Sequence, residues 1–385
     1  MAAIGLMSFL ALSCSRQPAP IRQGNWNRTA AATYLDSREN WWMQWNGASR
    51  DHGTFCVSCH TTLPYVMSRA VLSDQPSERG PAADEREIID NVKKRVRLWN
   101  DIGPYYSDHG YDKKTAQSRG TESVLNALIL SNYDSQRRAL SEETEAAFVN
   151  MWALQQSTGE LKGAWLWLQF DQEPWEASDS AYYGAALAAI AVGIAPDDYA
   201  RTPQIQNNLT LLREYLTSKS TAQSTINRMF LLLASTKLSL LNPEAQKAII
   251  DEILNRQQAD GGWRLASITW RWHGWSLASM LKMWFREDGT PLEGKSDGLA
   301  TGLATFVLEE AGVPGNNVQL QRGLSWLATN QNAADGSWPA SSVNKRRSMT
   351  SETGRFMSDA ATAYAVLALS DAKHKGANAK SIAER

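Results

Sequence analysis

Apolar residues recur at i, i+3, i+4 and i+7 along most of this chain, the spacing that lines one face of a helix. Beyond Gly120 the pattern is continuous. It predicts helices over about 121–132, 142–157, 179–192, 203–218, 222–236, 243–258, 273–285, 296–311, 317–331 and 357–371. Asn242-Pro243 marks one start, a capping residue followed by proline at the first helical position. No convincing run of alternating β-branched residues appears, so the region reads as all-α. From Asn25 to about residue 115 the pattern is irregular and rich in Trp, Asp, His and Pro. One clear helix falls there, over 84–100, carried by Ile88, Ile89, Val92, Val96 and Trp99.

Helices joined by short loops prompt a search for internal repeats. Three stretches align. LNRQQADGGW, from Leu254 to Trp263, precedes a helix beginning Trp272-His273-Gly274-Trp275. RGLSWLATNQNAADGSW, from Arg322 to Trp338, precedes the run 358–369, and a looser copy from Leu154 to Trp165 precedes 178–189. A Ser-Asp pair recurs at Ser178-Asp179, Ser296-Asp297 and Ser358-Asp359, where it is expected to cap a helix and complement its dipole. Each unit is thus a polar outer helix, a tight turn ending in Trp, and an inner helix rich in Ala and Gly. Small side chains let such inner helices crowd around an axis.

The Gln-to-Gly-x-Trp turns, with the preceding pair Trp326-Leu327, resemble the QW repeats of the squalene-hopene and oxidosqualene cyclases, in the terpenoid cyclase/prenyltransferase family. The resemblance covers roughly 120–375 and is nearly complete at 322–338. It implies an α/α toroid, inner helices ringing a cavity, with each motif Gln capping a neighbouring helix. Gln258 and Gln331 are accordingly expected to bridge two backbone groups each, and Trp263 and Trp338 to pin their turns. The family's proton donor is the central Asp of D-x-D-D-T-A. The matching segment here is Glu176 to Ala181, with Ser178 in the position of the acid and Asp179 beside it. A serine hydroxyl is far too weak an acid to protonate an alkene.

No other D-x-D-D occurs, and the chain is about half the length of such enzymes. The zinc site of the related prenyltransferases needs a cysteine, and none lies beyond residue 59; the Cys-Gly-Glu-Gln thioester of other toroids is absent too. Ser178, Asp179, Trp272 and His273 remain as residues expected to face the cavity. The tryptophans around them, Trp165, Trp167 and Trp175 in one repeat and Trp263 to Trp284 in another, either bind an apolar polyisoprenoid or a cation, or interlock helices and turns.

Charge narrows the field. A formal net charge of −1 and a pI of about 6.6 supply no basic field for nucleic acid. Hydrophobic residues at 43% are ample for a core in 385 residues. The sharper signal lies in the three cysteines. Cys56-Val57-Ser58-Cys59-His60 is C-x-x-C-H, in which two thiols reach the haem vinyl groups and the histidine is the axial iron ligand. The other readings are a disulfide or half of a zinc site, which would want further cysteines. His52 and His109 are the candidates for a second axial ligand. Cys14 ends an apolar run, with Leu10-Ala11-Leu12-Ser13 before it, and resembles a bacterial lipoprotein processing box.

The expected organisation is a signal segment over 1–14, a tether over 15–24 and an irregular haem-binding segment over 25–118. A cyclase-like α/α toroid over 119–375 and a tail over 376–385 complete it. The function expected is that of an exported protein of the periplasm or cell envelope, lipid-anchored through Cys14. It would carry haem c for electron transfer or redox sensing with a redox partner protein. The alternatives are a terpenoid cyclase-like enzyme acting on polyisoprenoids and a non-catalytic interaction scaffold.

Overall fold

A computed structural model describes residues 26–72, 82–109, 113–269, 295–345 and 347–383, with side chains as far as 371. The helices are α1 (Arg28–Gln44), α2 (Thr62–Leu72), α3 (Ala83–Arg97), α4 (Lys114–Arg137), α5 (Glu142–Ala153), α6 (Ser180–Ile194) and α7 (Gln206–Ser218). They continue as α8 (Thr225–Leu238), α9 (Pro243–Asn255), α10 (Leu265–Thr269), α11 (Gly298–Glu310), α12 (Val318–Thr329) and α13 (Phe356–Ala383). The strands among the described residues are β1 (Ser49–Arg50) and β2 (Thr54–Phe55), an antiparallel pair with Ser49 opposite Phe55. The fold is all-α.

Alternate helices differ in burial, and that difference sorts them into two layers. Every residue of α6 from Ser180 to Val192 is buried, as is every residue of α11 from Gly298 to Glu309. By contrast α9 buries Ile249 and Ile253 alone, and α12 a narrow stripe of Leu320, Gly323, Leu324 and Leu327. A helix apolar all round lies inside and one with a single stripe lies outside. The inner helices pack in a closed circuit: α2 on α4, α4 on α6, α6 on α8, α8 on α11, α11 on α13, and α13 back on α2. Small residues permit the approach. A Cβ on Gly302 of α11 would stand 2.7 Å from the backbone nitrogen of Ala365 on α13.

The three aligned turns carry one device, and it corrects a sequence expectation. Gln155, Gln257 and Gln331 each donate Nε2 to the carbonyl of their own turn glycine, Gly163, Gly261 and Gly336, at 2.8–2.9 Å. The same nitrogens donate to Asn208, Gln319 and Asn27, at the start of the next outer helix, at 2.7–3.0 Å. The indoles of Trp165, Trp263 and Trp338 donate to Met151, Ile253 and Leu327, four residues before each glutamine. In the middle repeat the bridge is therefore Gln257. Gln258, expected in that role, turns its amide back to the Arg256 carbonyl at 2.9 Å.

Between 25 and 118 the structure is more regular than expected, with α1 and α2 as well as α3, and α4 runs straight across the 118/119 division. Helix α1 was hidden because its buried stripe is Ala31, Tyr34, Leu35, Arg38, Glu39 and Trp42, helical spacing with two charged residues in it. In α2 Pro64 reads as a breaker, yet it stands in the first turn, where its missing N–H costs no intrahelical bond. The helix expected over 273–285 lies outside the described residues. The last one runs beyond 371 to Ala383, through most of the expected tail.

Candidate functional site

The segment from Phe55 to Thr62 joins β2 to α2 and is held from both sides. Asn91 of α3 exchanges two hydrogen bonds with the Phe55 backbone, at 2.9 and 3.1 Å. The Trp42 indole of α1 donates to the Cys56 carbonyl at 2.7 Å, and Cys56 N–H to Ala48 at 2.8 Å. Ser58, the middle of the C-x-x-C, accepts from the N–H groups of Thr61 and Thr62 at 3.1 and 3.0 Å and so starts α2. The motif is at once a helix start and a ligand set, pointed into the circuit of inner helices.

Cys56 and Cys59 are free thiols, 5% and 2% exposed, rather than a disulfide. Burial pushes the Cys56 thiol up to about 12. Burial raises Cys59 as well, with the charges of Glu176 and Cys56 adding to it. His60 is 5% exposed. Its ring stacks on Phe356 of α13 at 3.7 Å, meets Trp42 edge-on at 5.1 Å and lies 5.9 Å from Trp175. Burial, then the neighbouring Arg347 and Arg38, hold the imidazole well below its ordinary range, so it is neutral. Nδ1 hydrogen-bonds Thr61 Oγ1 at 2.9 Å, while Nε2 hydrogen-bonds to none of the described residues.

Around this segment stand residues that the sequence did not single out. Asp359, from the third Ser-Asp pair, lies inside the first turn of α13 rather than at its cap and is 1% exposed. It accepts from Arg38 Nε at 2.7 Å, Arg38 Nη2 at 3.0 Å, the Tyr34 hydroxyl at 2.9 Å and Thr61 Oγ1 at 2.8 Å. Burial pushes this carboxyl up and Arg38 pulls it down. Four donors leave no place for a carboxyl proton, so Asp359 is ionised. Half-buried Arg347 lies over the Phe356 ring at 5.2 Å and pairs with no carboxylate among the described residues. The rings of Tyr183, Phe230, Tyr364 and Phe306 meet centrally from α6, α8, α13 and α11.

The other expected site residues are dispersed. His52 and His109 are exposed, in contrast to His60, so the structure does not bring them to the buried thiols. Ser178 is exposed. Asp179 stands at the cap position of α6 without making a cap bond and accepts instead from Asn227 of α8 at 3.2 Å. Asp297 does cap as expected, accepting from Ala300 N–H at 2.9 Å. Two residues before Ser178, Glu176 is half-buried, and burial pushes its carboxyl up to about 7, against Arg347, Lys114 and Lys345. That makes it a weaker acid than an ordinary carboxyl, the opposite of what alkene protonation asks. Trp165, Trp167, Trp263 and Trp338 are fully buried with their indole N–H groups on backbone carbonyls, which is interlocking. Trp272, His273 and Cys14 lie outside the described residues.

No group of three or more His, Cys, Asp or Glu that could hold a bare metal ion occurs among the described residues. Haem iron asks the protein for one or two axial donors only. No described helix is long and apolar enough to cross a membrane. The chain matches no family description and no curated protein. A solved structure titled "Glycosidase Wild Type" aligns with a TM-score of 0.47 at 12% identity, covering 89% of this chain and 97% of that one. A variant of the same title aligns at 0.48 with 11% identity and the same coverage.

Proposed function

We propose that this chain is an exported c-type haem protein of the cell envelope, lipid-anchored at Cys14, serving electron transfer or redox sensing on a cyclase-like α/α toroid. One observation carries the reading: a single buried segment presents two free thiols and a neutral imidazole whose Nε2 has no hydrogen-bond partner among the described residues. Cys56 and Cys59 would hold the group covalently and His60 would ligate its iron. The chemistry supplied by the bound group is a one-electron couple. Each thiol adds across a vinyl group, the sulfur forming the C–S bond and its hydrogen passing to the adjacent carbon, so no oxidant is consumed. Thiols this buried, with Cys56 pushed up to about 12, react poorly in the closed fold. Attachment therefore precedes folding. Arg347, beside the Phe356–His60 stack, supplies a counter-charge for a propionate.

The test is expression of the full chain in a host with haem-maturation machinery. The wild type is expected to keep its haem through denaturing electrophoresis and to give a c-type alkaline pyridine spectrum. Cys56→Ala with Cys59→Ala is expected to lose both signals. Haem-free wild type from a maturation-competent host overturns the reading. Mass spectrometry of the membrane fraction is expected to find diacylglycerol on Cys14, and an unmodified N-terminus elsewhere removes the anchor.

A further inference from the structure

The hydrogen-bond chain behind His60 assigns a role to two residues that no motif marks. Thr61 Oγ1 carries one proton. Asp359 is an ionised carboxylate and accepts only, so that proton lies on the 2.8 Å bond to Asp359 Oδ2. The 2.9 Å contact between Thr61 Oγ1 and His60 Nδ1 must then be donated by the imidazole. In a neutral ring a proton on Nδ1 leaves Nε2 with a free lone pair. Each member is held in place. The Thr61 backbone is tied to Ser58, and Asp359 is clamped by the Arg38 fork and Tyr34. Arg38 is itself fixed by Glu352 and lies over the Trp41 ring at 4.5 Å. Asp359, Arg38, Thr61 and His60 are all at most 5% exposed, so water does not compete for these bonds.

We propose that Thr61 and Asp359 are positioning residues that lock His60 as the Nδ1–H tautomer, present Nε2 to iron and make it an electron-rich axial ligand. This rests on the haem reading. A histidine that donates to a carboxylate-backed acceptor is more basic at its other nitrogen, and a more basic ligand favours the oxidised iron. Thr61 is the relay, since the carboxylate touches the imidazole only through its hydroxyl.

The experiment compares full-length, haem-loaded wild type with Thr61→Val, Thr61→Ser and Asp359→Asn. Covalent haem per chain is read first, then the ferrous iron–histidine stretch by resonance Raman and the midpoint potential. Thr61→Val keeps the shape, so haem content is expected to hold while the stretch falls in frequency and the potential rises. Thr61→Ser restores the hydroxyl and is expected to return both to wild-type values. Asp359→Asn is expected to move both as Thr61→Val does; should loss of the Arg38 partner unfold it, Thr61→Val decides alone. Thr61→Val with full haem and an unmoved stretch and potential overturns the relay. A wild type without haem overturns the parent reading instead, and the two failures are told apart by the first measurement.

Discussion

Glu39 is fully buried on α1, and neither of its carboxyl oxygens has a hydrogen-bond partner among the described residues. Burial pushes its carboxyl from the ordinary 4.5 to about 8. In that window the folded chain holds a proton that the unfolded chain has released. The stability tied to it is therefore complete below about 4.5 and is lost as pH rises through about 8. Glu39→Gln removes the titration. Wild-type unfolding free energy is expected to fall relative to the variant by a few kcal/mol, on the order set by such a shift, across that range. Urea titrations at several pH values check it, and parallel curves would sink it. Nothing in the sequence marked Glu39, because a charged residue on an apolar stripe looks like a break in the stripe. Cys56, Cys59 and His60 were legible for the opposite reason: covalent attachment demands a fixed local spacing, and local spacing is what a sequence displays.

At the scale of the element, the glutamine bridge shows how far a repeat can be read. Gln155, Gln257 and Gln331 keep a fixed distance from the outer helix behind them, but the turns ahead vary. Gly163, Gly261 and Gly336 follow at eight, four and five residues. An alignment made on the turn therefore slips by one at the pair Gln257-Gln258. The slip has a measurable consequence. Gln257→Ala deletes both bonds that tie α9's turn to α12 and is expected to cost about 1–3 kcal/mol. Gln258→Ala loses one bond to a carbonyl two residues back and is expected to cost under about 1 kcal/mol. Denaturant midpoints with a common slope distinguish them; equal losses would return the motif to Gln258. The Ser-Asp starts teach the same lesson, since Asp297 caps, Asp179 reaches to α8 and Asp359 turns to His60's relay.

For the whole molecule the decisive contact is the last bridge. Gln331 accepts from Asn27 N–H at 2.6 Å, so the C-terminal repeat clasps the start of α1 and brings the two ends of the chain together. Gly336 makes room, since a Cβ there would stand 2.4 Å from the Ala30 backbone carbon at φ +79. Gly159 has a similar φ, +74, with nothing within 4 Å of its Cβ position. Gly159→Ala is thus expected to cost only left-handed strain, about 1 kcal/mol, and Gly336→Ala about 3 kcal/mol or more because overpacking adds to it. Calorimetric or denaturant unfolding checks the gap, and equal losses would mean that the seam tolerates opening. By itself the sequence determined the all-α class, the helices beyond Gly120, the turn tryptophans and the C-x-x-C-H segment. All of these rest on interactions between residues near in the chain, which leave a period or a spacing behind. Only the tertiary structure decided that α1 and α2 complete the inner and outer layers, and that Asp359 stands behind His60. Thr61 and Asp359 are 298 residues apart. A bond across that separation is set by the packing of whole helices, and no local pattern has to record it.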